Sequence, residues 1–244
     1  MFEQPVIDER IATIAPGFRA MSVLVDATAA SQCPLDPDIL GDACAFVSAG
    51  GPAWAESHLA SWAQAYQRFG AKPNRTPCSA QALRKRVLRD GRLPVINPVV
   101  DLYNAVSLRY AIPVGGENAD AYAWHPFLTI ADGTEAFDTV MNGEAVIENP
   151  EAGEVIWRDE VGVTCRRWNW RQGTRTRLEH ASGRMWFVLE SLDTMPEEAL
   201  QGATAMLVDG LADLMPGSTI VATRVALSSA SNWRKLYMAA SPGA

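Results

Sequence analysis

No run in the 244 residues approaches the roughly 18 to 20 continuous apolar positions that a membrane-spanning helix needs. The N-terminal stretch MFEQPVIDERIATIAPGF carries acidic residues and no apolar run, so it has no secretory leader pattern. The expectation is a cytoplasmic chain. Cysteine is sparse. The four, at 33, 44, 78 and 165, form no C-x-x-C pair and have no zinc-finger spacing to histidine. They read as reduced, mostly small buried hydrophobes, and no metal site is expected. Histidine is sparser still, with His58, His125 and His180. None has an evident nucleophile or metal partner in its neighbourhood. The chain also lacks a G-x-S-x-G elbow, a Walker loop, H-E-x-x-H and G-x-G-x-x-G. Serine-triad hydrolysis, P-loop chemistry, zincin chemistry and dinucleotide binding lose their sequence support.

Excess positive charge is missing too. The net charge is −7, which argues against a broad basic face for nucleic acid. The cations are nevertheless unevenly placed: residues 84–109 and 158–184 hold 13 of the 21 Lys and Arg. Such clusters are either a local phosphate-binding patch or a solvated face with surface ion pairs.

What is present is an ordinary globular composition, 48% hydrophobic, enough to bury a core in a single domain. Residues 18–28 read as a buried strand. Helices are expected over 38–48, 53–69 and 80–90, marked by Pro37, Pro52, Ser79 and the stop at Gly91. Asn97-Pro98 is an N-cap followed by proline at the first helical position, and it opens another helix. On a helical wheel, Val99, Leu102, Tyr103, Val106 and Tyr110 form one stripe, with Asp101 and Asn104 opposite. Ala105 and Arg109 are the solvent-tolerant pair. A helix apolar almost all round is buried on both sides, so Asp101 and Asn104 either brace loops or line a cavity. Pro113 to Asn118 reads as a Gly-rich turn.

Strands are expected over 126–131, 154–158, 162–171, 174–179 and 184–191. A helix over 196–215 and a strand over 218–227 follow. Helices early, strands late and a helix near the end indicate an α+β fold with mixed or antiparallel sheets rather than βαβ alternation. In the segment CRRWNWRQG a strand would put Arg167, Asn169 and Arg171 on one face and Arg166, Trp168 and Trp170 on the other. Interleaved Arg and Trp suits stacking on a terminal nucleotide, and equally a strand with tryptophan in the core and arginine in water.

The stretch LPVINPVVDLYNAVSLRYAIPVGGENAD, residues 93–120, resembles the signature of the editing, tRNA-binding module in the beta subunit of phenylalanyl-tRNA synthetase. Asn97, Val100, Asp101, Asn104 and Pro113 fall in register with it. The resemblance covers about residues 75–230 and implies a single editing-module-like domain over 1–244. Within it, 1–75 would be an N-terminal helical portion, 76–230 the core and 231–244 a tail. It implies a free-standing relative rather than a ligase, one that binds the aminoacylated 3′ end of tRNA and hydrolyses mischarged esters in trans without a cofactor.

The same resemblance carries the site residues. Asn104 and Pro113 match directly, and Glu190 in VLES corresponds to the glutamate that recognises a tyrosine hydroxyl. Two positions depart: Tyr103 stands for a threonine, and Gly115 for a histidine. A reshaped pocket follows. The expected machinery is Asn104, Gly115 and Glu190 for chemistry, with backbone N–H groups of Gly115 and Gly116 as oxyanion donors. Asp101, Tyr103, Pro113, Gly116, Trp168 and Asn169 would bind the amino-acid moiety, and Arg86, Arg167 and Arg171 the RNA. The lost imidazole keeps open two other readings: a non-catalytic binding module for an amino acid, nucleotide or protein partner, and a small ester or amide hydrolase.

Overall fold

The computed structural model describes residues 2, 4–27, 33–36, 38–179 and 183–228. In chain order the elements are β1 (Val6–Asp8), α1 (Ile11–Ile14), β2 (Arg19–Asp26), α2 (Ile39–Ser48), α3 (Ala55–Arg68), α4 (Ser79–Asp90) and α5 (Pro98–Tyr110). There follow β3 (Val114–Asn118), β4 (Phe127–Ile130), β5 (Phe137–Met141), β6 (Glu144–Glu148), β7 (Val155–Arg158), β8 (Val163–Arg166), β9 (Arg171–Gln172) and β10 (Arg184–Ser191). The chain continues through α6 (Glu197–Leu214), β11 (Thr219–Val225) and β12 (Leu227–Ser228). The strands form two sheets. A mixed sheet runs β12-β1-β4-β7-β8-β5-β6, with β9 on β8. An antiparallel sheet runs β11-β2-β10-β3. The α+β expectation holds.

The central strand β10 of the antiparallel sheet is buried on both faces. Side chains alternate across a strand. Phe187 and Leu189 of β10 therefore pack with Val23 and Val25 against α5 and α6, through Leu102, Val106, Leu207 and Leu211. Trp186 and Val188 face the other way, into a core with Leu128, Val155 and Trp157 of the mixed sheet and Trp62 and Tyr66 of α3. The Trp157 and Trp186 rings meet at 5.2 Å across the two sheets. Burying each such side chain contributes about 1.5–3 kcal/mol. Glu190 shares the phase of Trp186 and Val188, so the fold carries a carboxyl into this aromatic layer.

Helix α5 starts as its sequence dictates: the Asn97 side chain accepts from the Val100 N–H at 2.9 Å, with Pro98 in the first turn. It ends at Ala111, in the left-handed region at φ 51°. It is buried on both sides, as its pattern implies, but Ala105 is not solvent-facing. Its residual exposure is 0%, against the α2–α4 cluster of Val47, Val87 and Leu93.

Other readings need correcting. Val114–Asn118 is an edge strand, not a turn, because β10 supplies a partner along its whole length. The 162–171 strand stops at Arg166. Arg167 and Trp168 take φ values of 46° and 67°, reverse the chain, and return it as β9. The 174–179 segment makes only an isolated bridge, Glu117 to Arg177. The N-terminal portion also contributes strands to both sheets: β1 pairs in parallel with β4 and β12, and β2 is central to the other sheet.

Candidate functional site

A cavity of about 270 Å³ lies where α4, α5, β3, β10 and the 166–172 reversal converge. Asn104, Gly115 and Glu190 all line it, with Tyr103, Gly116, Trp168 and Asn169. Glu117, Trp157, Trp170, Gln172, Cys165 and Ser79 are further parts of the wall.

Glu190 is 1% exposed. Its Oε1 accepts from Trp157 Nε1 at 3.0 Å and Trp168 Nε1 at 2.9 Å, and its Oε2 from Asn169 Nδ2 at 2.9 Å. Burial pushes its carboxyl up to about 7, against the pull of these three donors. Asn169 is itself held, its Oδ1 accepting from the Tyr66 hydroxyl at 2.8 Å and the Ser79 N–H at 3.2 Å. Trp168 and Asn169 are adjacent in sequence and both reach Glu190. Strand alternation would forbid that; the reversal at Arg167 and Trp168 permits it.

Glu117 is the acid that sequence reasoning missed. It is 6% exposed and accepts a hydrogen bond from the Tyr122 hydroxyl, and burial pushes its carboxyl up to about 7. Read as part of a turn, GGEN gave no reason to aim Glu117 inward. Pairing of Glu117 with Trp186 puts it on the same face of the sheet as Glu190.

Asn104 is 9% exposed, and its side-chain amide has no hydrogen-bond partner among the described residues. The Ser79 Oγ is likewise buried and unpartnered. Buried polar groups are normally paired. Two that border one cavity are available to a ligand or to water.

Register decides the glycines. The Glu190 N–H donates to the Pro113 carbonyl at 3.0 Å, so hydrogen-bonded positions of β3 recur every second residue, at 115 and 117. The Gly115 N–H therefore faces β10. The Gly116 N–H points away from β10, toward the side where Gln172 Nε2 donates to the Gly116 carbonyl at 3.1 Å and Arg177 bridges Glu117. A Cβ at Gly115 would meet only Val188 Cγ1, at 3.5 Å; one at Gly116 would meet Phe187 Cε1 at 2.8 Å.

His58 fixes this corner. Its Nδ1 bonds the Ala111 carbonyl at 2.9 Å, so Nδ1 carries the proton. Nε2 then accepts from Trp62 Nε1 and the Leu192 N–H, both at 3.1 Å. The ring ties the end of α5 to the end of β10, which sets Pro113 against Glu190. Burial lowers its pKa to about 4, so it stays neutral. His125 bonds the Gln4 carbonyl at 2.7 Å, away from the cavity, and His180 lies outside the described residues. Cys165 borders the cavity, but burial pushes its thiol well above the usual range, so it is no nucleophile.

Several expected site residues stand elsewhere. Asp101 accepts the Ile96 N–H at 3.0 Å and braces the segment before α5 rather than the cavity. Pro113 acts through its carbonyl, behind Glu190. Arg167 stacks 4.8 Å over Trp170 and pairs with Glu151 and Glu154. Arg171 lies 3.6 Å from Glu148. Arg166 is buried between Glu148 and Glu154, and Arg175 on Asp159. The 158–184 cations are thus largely spent on the chain's own acids, which favours the ion-pair reading of that cluster. Arg86 differs: it is half-exposed, with only a 3.8 Å approach to Asp90. It stands on α4, whose Ser79, Ala82 and Leu83 border the cavity.

Residues 61–204 match the family model of the B3/4 domain. The chain belongs to the B3/4 domain family. The matched span encloses every residue lining the cavity of this B3/4 domain. Among solved structures it is similar to an N-terminal fragment of the phenylalanyl-tRNA synthetase beta-subunit from Pyrococcus horikoshii. The identity is 11% and the TM-score 0.47, with 95% of this chain and 55% of that one covered. The chain spans about half the length of that fragment. No curated protein matches. No described helix is long and apolar enough to cross a membrane.

Proposed function

We propose that this B3/4 domain is a cytoplasmic editing module that hydrolyses mischarged aminoacyl-tRNA in trans, with the aminoacylated 3′ end entering the cavity and residues 76–230 forming the working core. The observation that carries the reading is the convergence of Asn104 and Glu190 on one cavity, with an unpartnered amide on the former. An aminoacyl ester is already activated, so the site has only to orient it, polarise its carbonyl and place a water.

The geometry supports the following roles. The Asn104 amide positions the carbonyl or the attacking water. The outward N–H of Gly116, rather than that of Gly115, is the backbone donor for the developing oxyanion. Glu190, whose three donors leave one acceptor position, holds the α-ammonium of the ester, while the attacking water, placed by Asn104, gives its proton to the departing ribose oxygen. The net change is cleavage of the C–O ester bond and addition of water across it. No cofactor enters these steps. The RNA backbone runs past α4, where the half-exposed Arg86, on a loose 3.8 Å approach to Asp90, meets it.

A deacylation panel of purified protein against separately mischarged tRNAs tests this. Release of amino acid from at least one charged tRNA, faster than the no-protein control, is expected. Binding of charged tRNA without release would favour the second reading, a non-catalytic module; Gly115, where the editing signature has histidine, is the observation behind it.

A further inference from the structure

Among the described residues, every charged side chain lining the cavity is an acid: Glu117 and Glu190 are both buried, and no described Lys, Arg or His borders the same space. They stand on one face of the antiparallel sheet with Gly115 and Val188 between them. Gly115 adds no side chain there, and the nearest atom to a Cβ built on it is 3.5 Å away. The floor between the two acids is therefore open. The walls are aromatic, with Tyr103, Trp157, Trp168 and Trp170. Ring faces and carboxylates attract the same ligand group, a cation.

Spacing narrows the ligand. Glu190 stands four residues beyond Trp186, the partner of Glu117, so the two backbone positions are about 13 Å apart along the strand direction. Side chains rise roughly perpendicular to a sheet. A ligand donating to both carboxylates at about 2.8 Å must then carry its donors about 7 Å apart. That is roughly the separation of the α- and ε-nitrogens of extended lysine, from ordinary bond lengths. A carboxylate offers about four acceptor positions. The protein fills three on Glu190, through Trp157, Trp168 and Asn169, which leaves one.

We propose that Glu117 is a second, specificity-determining acid of this cavity, and that the amino-acid moiety it accepts has a basic side chain. The ligand lies across Gly115, one cation at each acid. A neutral side chain would bring no cation to Glu117, which otherwise accepts from the neutral Tyr122 hydroxyl, and would forfeit that charge-assisted contact. This rests on the editing reading for the placement of an amino acid in the cavity, but not on hydrolysis.

The test is equilibrium binding to the full chain, followed by tryptophan fluorescence, because three of the lining residues are Trp157, Trp168 and Trp170. The probes are the methyl esters of L-lysine, L-arginine, L-norleucine and L-tyrosine, each carrying the same α-ammonium. Lysine or arginine ester is expected to bind at least about tenfold tighter than norleucine ester. In Glu117→Gln that preference should fall to about threefold or less, and Glu117→Asp should restore part of it. Norleucine or tyrosine ester binding as tightly as lysine ester overturns the proposal. So does an undiminished preference in Glu117→Gln, or no ester binding at all. The wild-type comparison stands even if a variant fails to fold. A failed deacylation panel beside a retained lysine preference sinks the hydrolase reading alone. Active deacylation with a preference for tyrosine sinks this proposal alone.

Discussion

Replacing Glu190 with glutamine should change the pH dependence of folding in a defined direction. The carboxyl rises from its ordinary 4.5 to about 7 because burial outweighs three hydrogen-bond donors. Between those values the unfolded chain has lost the proton that the folded chain keeps. Stability from this group is fully present below about pH 4.5 and is lost as pH rises through about 7. At about 1.4 kcal/mol for each tenfold change in proton affinity, the loss is about 3 kcal/mol. Glutamine carries no charge, so Glu190→Gln has no such loss. It does turn an N–H toward a donor, either Asn169 Nδ2 or the two indoles, and that mismatch costs about 1–3 kcal/mol at every pH.

The quantity to measure is therefore the slope. Urea unfolding of both proteins, in reductant, at pH 5, 6, 7 and 8 gives the cost of the substitution at each pH. Glu117 and His58 titrate in both proteins and cancel in the difference. The cost should shrink by about 2–3 kcal/mol from pH 5 to pH 8. A difference flat to within about 0.5 kcal/mol would refute the raised carboxyl. That flat outcome would mean that the three donors offset desolvation and that Glu190 is already ionised at pH 5.

Three further outcomes are expected. Asn104→Ala should fold normally and slow deacylation by about 10²-fold, the usual size for one oriented donor; an unchanged rate would remove Asn104 from the chemistry. Gly115→Ala should keep a melting temperature close to wild type. Gly116→Ala should lower it by several degrees, because its Cβ meets Phe187 Cε1 at 2.8 Å, and equal melting of the two would contradict the packing. Arg86→Ala should flatten the salt dependence of tRNA binding by about 0.7 in log–log slope if it meets one single-strand phosphate. Arg171→Ala should leave that slope unchanged, since Arg171 is occupied by Glu148, and a reversed pattern would move the RNA path to the 166–172 reversal.

The parts of this fold that were legible in the sequence are those built from local signals. The apolar run RMWFVLES became β10 over Arg184–Ser191, and Asn97-Pro98 opened α5. The strand at β2 and the long helix α6 were also read from their patterns. Three-residue β1 and two-residue β12 were not, because neither carries a period; each exists through a long-range pairing, Ile7 with Leu227. Gly115 and Gly116 hid β3 for the same reason: their extended conformation is set by β10.

The 165–173 segment is the more instructive failure, because its alternation of Arg and Trp is a good strand pattern by itself. What overrides it is Glu190. Two-residue periodicity already placed that carboxyl on the face of Trp186 and Val188, inside an aromatic layer, where an unpaired charge is not tolerated. The donors must be brought to it. Trp157 comes from a neighbouring strand, but Trp168 and Asn169 reach it together only if the chain turns between Arg166 and Trp170. Trp168 N–H to the Val155 carbonyl, at 2.6 Å, and left-handed backbone at Arg167 and Trp168 make that turn. The non-glycine left-handed residues cost about 1–3 kcal/mol each. They persist because a straight strand would leave Glu190 short of two of its three donors. A glutamate in phase with Trp186 and Val188 on a buried strand was thus the sequence signal for the site. The turn that serves it is a consequence of tertiary satisfaction, which no local pattern encodes.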